Sequence, residues 1–302
     1  MGPSGSIGIV PDAGGRRVRC GGGAAGKDGS GHYTGVGAGY TIFSMLIDSH
    51  CHLTYEGLAG QTRAVLERAQ AAGVRRVVTI GTDIEDHTKV VELLRGEEMV
   101  FGALGIHPHH AAKTEEGYEA FLENRLRREE KVLAVGECGL DYHYDFSPKL
   151  LQKGVFRNQL EMARRVGKPV ILHVREAHAD ALAIMEDFAE LKFVVHCFTG
   201  TPAECAAWVA MGAYVGITGI VTYKNAADVQ EAARLVPADR LLVETDAPYL
   251  SPEPVRKNKV NEPANVKHTA EFVAQLRGVG LEELCRQTTE NAVRFFGDVL
   301  IK

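Results

Sequence analysis

The 302-residue sequence lacks any apolar run that approaches the length of a transmembrane helix, so no membrane association is expected. Its six cysteines are scattered, with no paired CxxC spacing, which favours a reduced, cytoplasmic setting over a disulfide framework. The chain has no excess of positive charge either, since its formal net charge is −5. Any contact with a polyanion must therefore depend on a local basic patch.

The first 44 residues lack sustained apolar periodicity and hold 14 of the chain's 33 glycines. No continuous apolar segment follows Met1, so a signal peptide is not expected. We interpret residues 1–44 as a flexible, disordered extension, consistent with translation upstream of a start at Met45. Residues 45–302 then form one domain of 258 residues, close to the usual size of a single (β/α)₈ barrel.

Strand-like and helix-like segments alternate through this domain. Short apolar strands are expected at 45–47, 74–80, 99–104, 132–135, 169–172, 193–195, 213–217 and 240–243. Helices are expected at 56–72, 84–95, 115–130, 149–166, 179–190, 202–211, 226–235, 264–278 and 281–296. Eight strands alternating with helices predict an α/β fold in which a parallel sheet closes into a (β/α)₈ TIM barrel. An open doubly wound sheet is the alternative, but no glycine-rich dinucleotide loop follows the first strand.

The first strand leads into two histidines, His50 and His52, which are two residues apart. Alternate side chains of a strand share one face, so both imidazoles can point at one position just past the strand end. Neutral imidazole is the commonest metal ligand among side chains, which makes that position a candidate metal site. Taken alone, the pair is also explained as two satisfied polar residues at the end of a strand.

Further side chains that could bind metal follow other strands. They are His107 after strand 3, Glu137 after strand 4, His173 after strand 5, His196 after strand 6 and Asp246 after strand 8. The active site of such a barrel lies at these carboxyl ends, so the side chains are expected to converge there. Their nitrogen and oxygen atoms suit Zn, Mn or Mg. Even without His107 the donors number six, which exceeds the needs of one tetrahedral ion, so we expect two divalent metal ions, with Glu137 as the candidate bridge.

From Met45 onward the chain closely resembles the TatD family of metal-dependent deoxyribonucleases, within the metal-dependent hydrolase superfamily. The matching stretches are IDSHCHL at 47–53, GIHPH at 105–109, GECGLDY at 136–142, LHVREA at 172–177, HCFTG at 196–200, TYKNA at 222–226, ETDAPYL at 244–250 and NEPANV at 261–266. The resemblance implies a two-metal-ion phosphodiester hydrolase, an exonuclease acting on DNA that is single-stranded or at chain ends. No obligate protein partner is evident from the sequence.

The same resemblance implies a division of the ligands between the two ions. One ion would be held by His50, His52, Glu137 and Asp246, and the second by Glu137, His173 and His196. Two such ions can activate water as the nucleophile and stabilise the attacking and leaving oxygens of a phosphodiester displacement. Asp246, besides acting as a ligand, is expected to accept the proton of the attacking water.

Four residues are candidates for substrate contacts. His107, which receives no ion in this scheme, either contacts the scissile phosphate or leaving group or is satisfied within its turn with the following proline. Arg175 could face the same side as the preceding ligand and clamp a phosphate, or form a surface salt bridge. Arg256 and Lys259 lie in a basic run after strand 8, where barrels often bind phosphate. That run departs from the tighter Arg-Gly-Lys-Arg sequence more usual in the family.

Residues beside the candidate ligands are expected to have supporting roles. Glu244 is expected to be buried as the partner of a ligand or a basic residue, and Glu262 to contact a ligand residue or to fix a loop. Cys51, Cys138 and Cys197 each adjoin a candidate ligand. Because adjacent strand positions face opposite sides, all three are interpreted as small core residues.

Two other functions remain open. A metal-dependent amidohydrolase or an aminoacyl-ester (aminoacyl-tRNA) deacylase would keep the metals and change the bond that is broken. Many amide-cleaving relatives have a carboxylated lysine after strand 4, whereas this chain has Glu137, which favours phosphodiesters. A non-catalytic binder with a vestigial site is disfavoured, because every expected ligand is present.

Overall fold

The structure of the protein, a computed structural model, describes residues 26–27, 33–34, 45–144 and 146–302. The chain divides into two compact units, residues 1–40 and 41–302. In the first unit, Gly26–Lys27 pairs antiparallel with Tyr33–Thr34. Most of the extension expected to be disordered lies outside the described residues, and the domain boundary before Met45 stays a prediction.

The second unit alternates strands and helices. Its strands are β1 (Leu46–Cys51), β2 (Val74–Gly81), β3 (Val100–Leu104), β4 (Val132–Asp141), β5 (Val170–Arg175), β6 (Phe193–Val195), β7 (Tyr214–Ile217) and β8 (Leu241–Val243). Its helices are α1 (Thr62–Ala71), α2 (Ile84–Gly96), α3 (Tyr118–Arg128), α4 (Lys149–Val166), α5 (His178–Met185), α6 (Pro202–Ala210), α7 (Ala227–Leu235), α8 (Val266–Arg277) and α9 (Leu281–Phe296). Within the described ranges, no helix has the length and apolar character needed to cross a membrane.

The eight strands form one parallel sheet in sequence order, and its two edges meet. Cys51 and Ala247 form a parallel bridge between the end of β1 and the segment after β8. The His52 backbone N–H donates to the Ala247 carbonyl at 2.7 Å, and the Asp246 N–H donates to the His50 carbonyl at 2.9 Å. These bonds close the sheet, so the predicted (β/α)₈ barrel is confirmed.

Two buried apolar layers surround the strands. The larger layer lies between the strands and the outer helices and includes the fully buried Trp208 and Phe156. The second layer contains strand residues such as Phe101 together with Phe295 and Leu300 from the carboxyl-terminal segment. Because burying one large apolar side chain stabilises a fold by roughly 1.5–3 kcal/mol, this second layer fixes α9 against the barrel. The carboxyl ends of the strands are left as the end where a ligand can enter.

Three strands extend further than their apolar patterns predict. β1 continues to Cys51, β4 to Asp141 and β5 to Arg175, several residues beyond the expected ends. Polar residues can remain in β1 because they have buried partners; the Ser49 hydroxyl donates to a carbonyl of β8 at 3.1 Å. His50 and Glu137 therefore lie within strands and not in the loops after them.

His87 links burial to the pH dependence of stability. Its side chain is fully buried in α2, and its Nε2 lies 2.8 Å from the Gly105 carbonyl oxygen, to which it can donate. Burial lowers the pKa of His87 from 6.5 to about 4. Between these values the unfolded chain binds a proton that the folded chain does not. The free energy of unfolding therefore falls as the pH falls through this range.

We predict that His87→Gln removes this contribution. The advantage of the wild type over the variant in unfolding free energy should shrink by up to roughly 3 kcal/mol between pH 7 and pH 4. Urea denaturation of both proteins across this range measures it, and the interval from pH 7 to 8, where the difference should stay constant, is the control. A difference that is the same at every pH would contradict the assigned protonation.

Candidate metal centre

A cavity of about 660 Å³ opens at the carboxyl ends of the barrel strands. Seven residues were predicted from the sequence as ligands or catalytic groups, and six of them line it. They are His52, His107, Glu137, His173, His196 and Asp246. The seventh, His50, is fully buried directly beneath them. The convergence expected from the barrel topology is therefore present.

The first group of donor atoms comes from β1, β4 and the segment after β8. His50 Nε2 and His52 Nε2 lie 3.4 Å apart. Asp246 Oδ1 lies 3.7 Å from the His50 nitrogen and 3.3 Å from that of His52. Glu137 Oε2 lies 3.5 and 3.9 Å from the same two nitrogens. The two imidazoles thus point at one position, as their spacing predicts.

The other oxygen of Glu137 faces a second group. Its Oε1 lies 2.7 Å from His173 Nδ1, 2.6 Å from His196 Nε2 and 3.6 Å from His107 Nε2. The His196 ring also stacks on His50, with centroids 3.8 Å apart. The sets of mutually close donors are His50–His52–Asp246, His50–Glu137–His196 and His107–Glu137–His173. This grouping differs from the division that the resemblance implies, because it includes His107 and places His196 near His50.

His107 is satisfied within its turn, whereas its contact with the scissile phosphate or the leaving group stays a prediction. Its Nδ1 accepts a hydrogen bond from the His109 N–H at 3.1 Å, which begins the 3₁₀ turn Pro108–Lys113. Its Nε2 lies 3.2 Å from His173 Nδ1. The turn therefore holds the ring in place while one nitrogen faces the donor cluster.

Close packing of β4 against β5 brings Glu137 beside His173. Gly139 pairs with His173 in the ladder and has a φ of +146°. A Cβ at this position would lie 2.0 Å from the His173 carbonyl oxygen. Only glycine allows the two backbones to approach so closely.

Burial and neighbouring charges control protonation in the cluster. Burial alone would raise the pKa of Glu137, but the charge of His196 and the hydrogen bonds with His173 and His196 outweigh it and hold that pKa well below its ordinary value. Burial likewise opposes ionisation of Asp246, yet the hydrogen bond with His52 lowers its pKa. For His107, burial lowers the pKa well below its usual range. The two carboxylates are therefore ionised at neutral pH, and His107 is neutral.

The donor set fits divalent metal ions. Imidazole nitrogens and carboxylate oxygens are ligands of Zn and Mn, and carboxylates also of Mg. Among the described residues, Glu137 and Asp246 form ion pairs only with histidines, so no lysine or arginine neutralises them. Separations of 3.3–3.9 Å in the first group resemble the ~3.4 Å expected between ligands held tetrahedrally at ~2.1 Å from an ion.

Asp141 was not identified from the sequence, although it contacts this cluster. Its Oδ2 lies 2.9 Å from His173 Nε2 and 2.9 Å from His109 Nε2. Such a carboxylate orients a ligating imidazole and raises its basicity. Glu137 and Asp141 are four residues apart in one strand, a spacing that would have placed them on one face. The apolar pattern, however, predicted that this strand ends at residue 135, so neither residue was expected to lie in it.

Two other acidic residues support the site as expected. Glu244 is fully buried, and its Oε1 lies 3.4 Å from His196 Nδ1 and accepts from the Cys197 N–H at 2.6 Å. Glu262 accepts three hydrogen bonds from the Arg68 guanidinium, at 3.0, 2.9 and 2.6 Å. This pair fixes the loop before α8 to α1.

The three basic residues predicted to bind substrate have different surroundings. Arg175 lines the cavity, with its guanidinium carbon 4.9 Å from the centre of the Tyr144 ring. Arg256 lies 3.8 Å from the centre of the Tyr223 ring. Neither Arg256 nor Lys259 is among the described residues that line the cavity. Their contacts with phosphate stay predictions.

The interpretation of Cys197 as a core residue facing away from the site was wrong. Cys197 is only partly buried and lines the cavity. β6 ends at Val195 and Cys197 has a φ of 44°, so strand alternation does not extend to it. Cys51 and Cys138 are fully buried in the outer apolar layer, as predicted.

Comparison with known proteins identifies the family. A family model described as TatD related DNase matches residues 47–297. The chain belongs to this family. This TatD-family chain is 42% identical over 254 residues to the uncharacterized metal-dependent hydrolase YabD of Bacillus subtilis, a match that covers 83% of this chain and 99% of that protein.

Other TatD-family proteins are similar over the same region. The 3'-5' ssDNA/RNA exonuclease TatD of Pantoea ananatis is 37% identical over 262 residues, covering 83% of this chain and 99% of that protein. The crystal structure of YJJV, a TatD homologue from Escherichia coli, matches with a TM-score of 0.80 and 30% identity, covering 84% of this chain and 98% of that one. The protein is therefore a TatD-family metal-dependent hydrolase, and the expected family and enzyme class are confirmed.

We predict that Asp141→Asn weakens metal binding by about 10–100-fold, because His173 and His109 lose their carboxylate partner. Competition between the metal-stripped protein and a chromogenic chelator measures the affinity. Asp187→Asn is the matched control, since Asp187 is exposed and pairs with Arg157 on the outer surface. Equal affinities for wild type and Asp141→Asn would contradict the role assigned to Asp141.

Proposed function

We propose that the protein is a two-metal-ion phosphodiester hydrolase that removes nucleotides from the ends of single-stranded DNA. The orientation of Glu137 carries the proposal. Its Oε2 faces His50 and His52, and its Oε1 faces His173 and His196. A carboxylate with one oxygen toward each of two donor groups suits a bridge between two ions.

The chain's own residues have defined roles in this proposal. Mg, Mn or Zn held there would activate water and stabilise the charge that develops on the attacking and leaving oxygens. Asp246, ionised and partly exposed to the cavity, accepts the proton of the attacking water. His107, kept neutral by burial, holds the scissile phosphate or the leaving oxygen by hydrogen bonding through Nε2.

A nucleic-acid chain end is supported as the substrate by relatives and by the cavity. Three relatives that are 37–38% identical to this chain are named 3'-5' ssDNA/RNA exonucleases. A cavity of about 660 Å³ is the size of a small-ligand site, which suits a terminal nucleotide better than the middle of a duplex. Tyr55 and Tyr249 line it, and aromatic rings are the usual partners of unpaired bases.

The free cysteines support a reducing, cytoplasmic setting for this activity. All five cysteines in the described part of the chain are unpaired. Three of them, Cys51, Cys138 and Cys205, are fully buried.

We predict that Glu137→Gln lowers metal-dependent shortening of single-stranded DNA by more than about a hundredfold. This loss is larger than that expected from removing a residue that only hydrogen-bonds a metal ligand, such as Asp141. The amide keeps the shape and can hydrogen-bond His173 and His196, so the fold should persist. Metal-stripped wild type and variant are incubated with 3'- or 5'-labelled oligonucleotides while Mg, Mn or Zn is added back singly. Circular dichroism and thermal unfolding are the controls for folding.

The labels also determine polarity, because the label lost first marks the end that is attacked. Undiminished shortening by Glu137→Gln would contradict the bridging role. If the wild type shortens no oligonucleotide with any of the three metals, the phosphodiesterase proposal fails and hydrolysis of an amide or aminoacyl ester is favoured.

We further predict different effects for the two arginines. Arg175 lines the cavity, so Arg175→Gln should raise KM even for a trinucleotide and reduce the slope of log KM against log salt by about one. Arg256 lies outside the cavity lining, so Arg256→Gln should raise KM only for longer strands, of about twelve nucleotides. Steady-state kinetics at several salt concentrations tests both. Equal effects of the two substitutions on the trinucleotide would contradict this assignment.

A further inference from the structure

The segment from the end of β4 into the first turn of α4 exposes an unusual amount of apolar surface. Tyr144 is 41% exposed, Phe146 64%, Leu150 80% and Leu151 46%. These are four of the nine large hydrophobic residues exposed among the described residues. Exposed apolar residues that cluster in one place mark a binding surface more often than scattered ones do.

Two of the four, Tyr144 and Phe146, also line the cavity above the donor cluster, whereas the two leucines do not. Their rings are stacked, with centroids 5.5 Å apart and planes inclined by 20°. The stack therefore continues the wall of the cavity outward to solvent. We call Tyr144 and Phe146 the aromatic platform.

The ring of His109 lies between the aromatic platform and the donor cluster and contacts both. The Phe146 centroid lies 4.8 Å from that of His109, edge to face. The His109 centroid in turn lies 4.3 Å from that of His107, whose Nε2 faces Glu137 and His173. A group stacked on the platform would thus lie beside the site of bond breaking and could be covalently continuous with a group bound there.

The charge beside the aromatic platform is positive. The Arg175 guanidinium covers the Tyr144 ring at 4.9 Å and lines the same cavity. Among the described residues, no carboxylate pairs with Arg175, because the neighbouring Glu176 pairs with His143 at 2.6 Å. Planar aromatic rings next to a guanidinium that pairs with no described carboxylate are complementary to a base followed by its phosphate.

We propose that the aromatic platform stacks a base of the single-stranded substrate next to the phosphate that is cleaved. The platform determines which strands are bound, since it requires an unpaired base with a free face and tolerates any of the four bases. This inference rests on the function proposed above. A face for docking another protein is the competing explanation, but it would not need the stack to continue into the cavity or the guanidinium to lie on it.

The test compares two oligonucleotides, an ordinary thymidine strand and the same strand with abasic residues at its attacked end. Phe146→Ala should raise KM for the ordinary strand by about tenfold or more and leave kcat nearly unchanged. Phe146→Trp, which restores a larger ring, should recover the wild-type KM. On the abasic strand, wild type and Phe146→Ala should have the same KM, because no base is present to stack.

Leu150→Ala is the matched control, since Leu150 is equally apolar and more exposed but does not line the cavity. Leu150→Ala should leave KM unchanged for both the thymidine strand and the abasic strand. An unchanged KM for Phe146→Ala on a strand that the wild type shortens would overturn the platform while leaving the proposed function intact. If Phe146→Ala raised KM equally for the thymidine and the abasic strand, a general apolar contact would replace the platform. The same would follow if Leu150→Ala raised KM as much as Phe146→Ala does. No shortening by the wild type would overturn the proposed function and the platform with it.

Discussion

The seam between the first and last barrel strands is the constraint on which the site depends. The Asp48 carboxylate accepts hydrogen bonds from the Thr245 hydroxyl at 2.6 Å and from its backbone N–H at 2.9 Å. These bonds lie beside the backbone pairing of His50 with Asp246. The seam therefore closes the sheet and, in the same few residues, brings the HxH pair of β1 together with the carboxylate that follows β8.

Much of the fold could be predicted because the apolar pattern of each buried strand is local. The number of strands, their order and the convergence of His107, His173 and His196 at one end all follow from it. The lengths of β1, β4 and β5 could not be predicted, because polar residues continue these strands. Ser49 remains in β1 because of its partners in and after β8, which are distant in sequence.

The sequence predicted which residues supply the donor atoms of the site. It did not predict most of the contacts between these residues. Strand spacing brought His50 and His52 together, but it could not show that His107 both caps a turn and faces Glu137. Asp141 was missed because its partners come from other strands, and Cys197 was misplaced because its backbone leaves the strand geometry. Side-chain networks and left-handed backbone positions depend on closure of the barrel, which periodicity does not describe.

The seam also has a consequence for the order in which the chain is made. Asp48 and Thr245 are 197 residues apart in sequence, so the first strand must wait for nearly the whole domain before its second edge is paired. α9 is synthesised later still, and it contributes Phe295 to the second apolar layer. The hydroxyl of Thr289 in α9 also donates to the Met45 carbonyl at 2.8 Å. An unfinished chain therefore carries its histidines without the carboxylate beside them. The complete donor set therefore forms only after β8 and the segment that follows it have been synthesised.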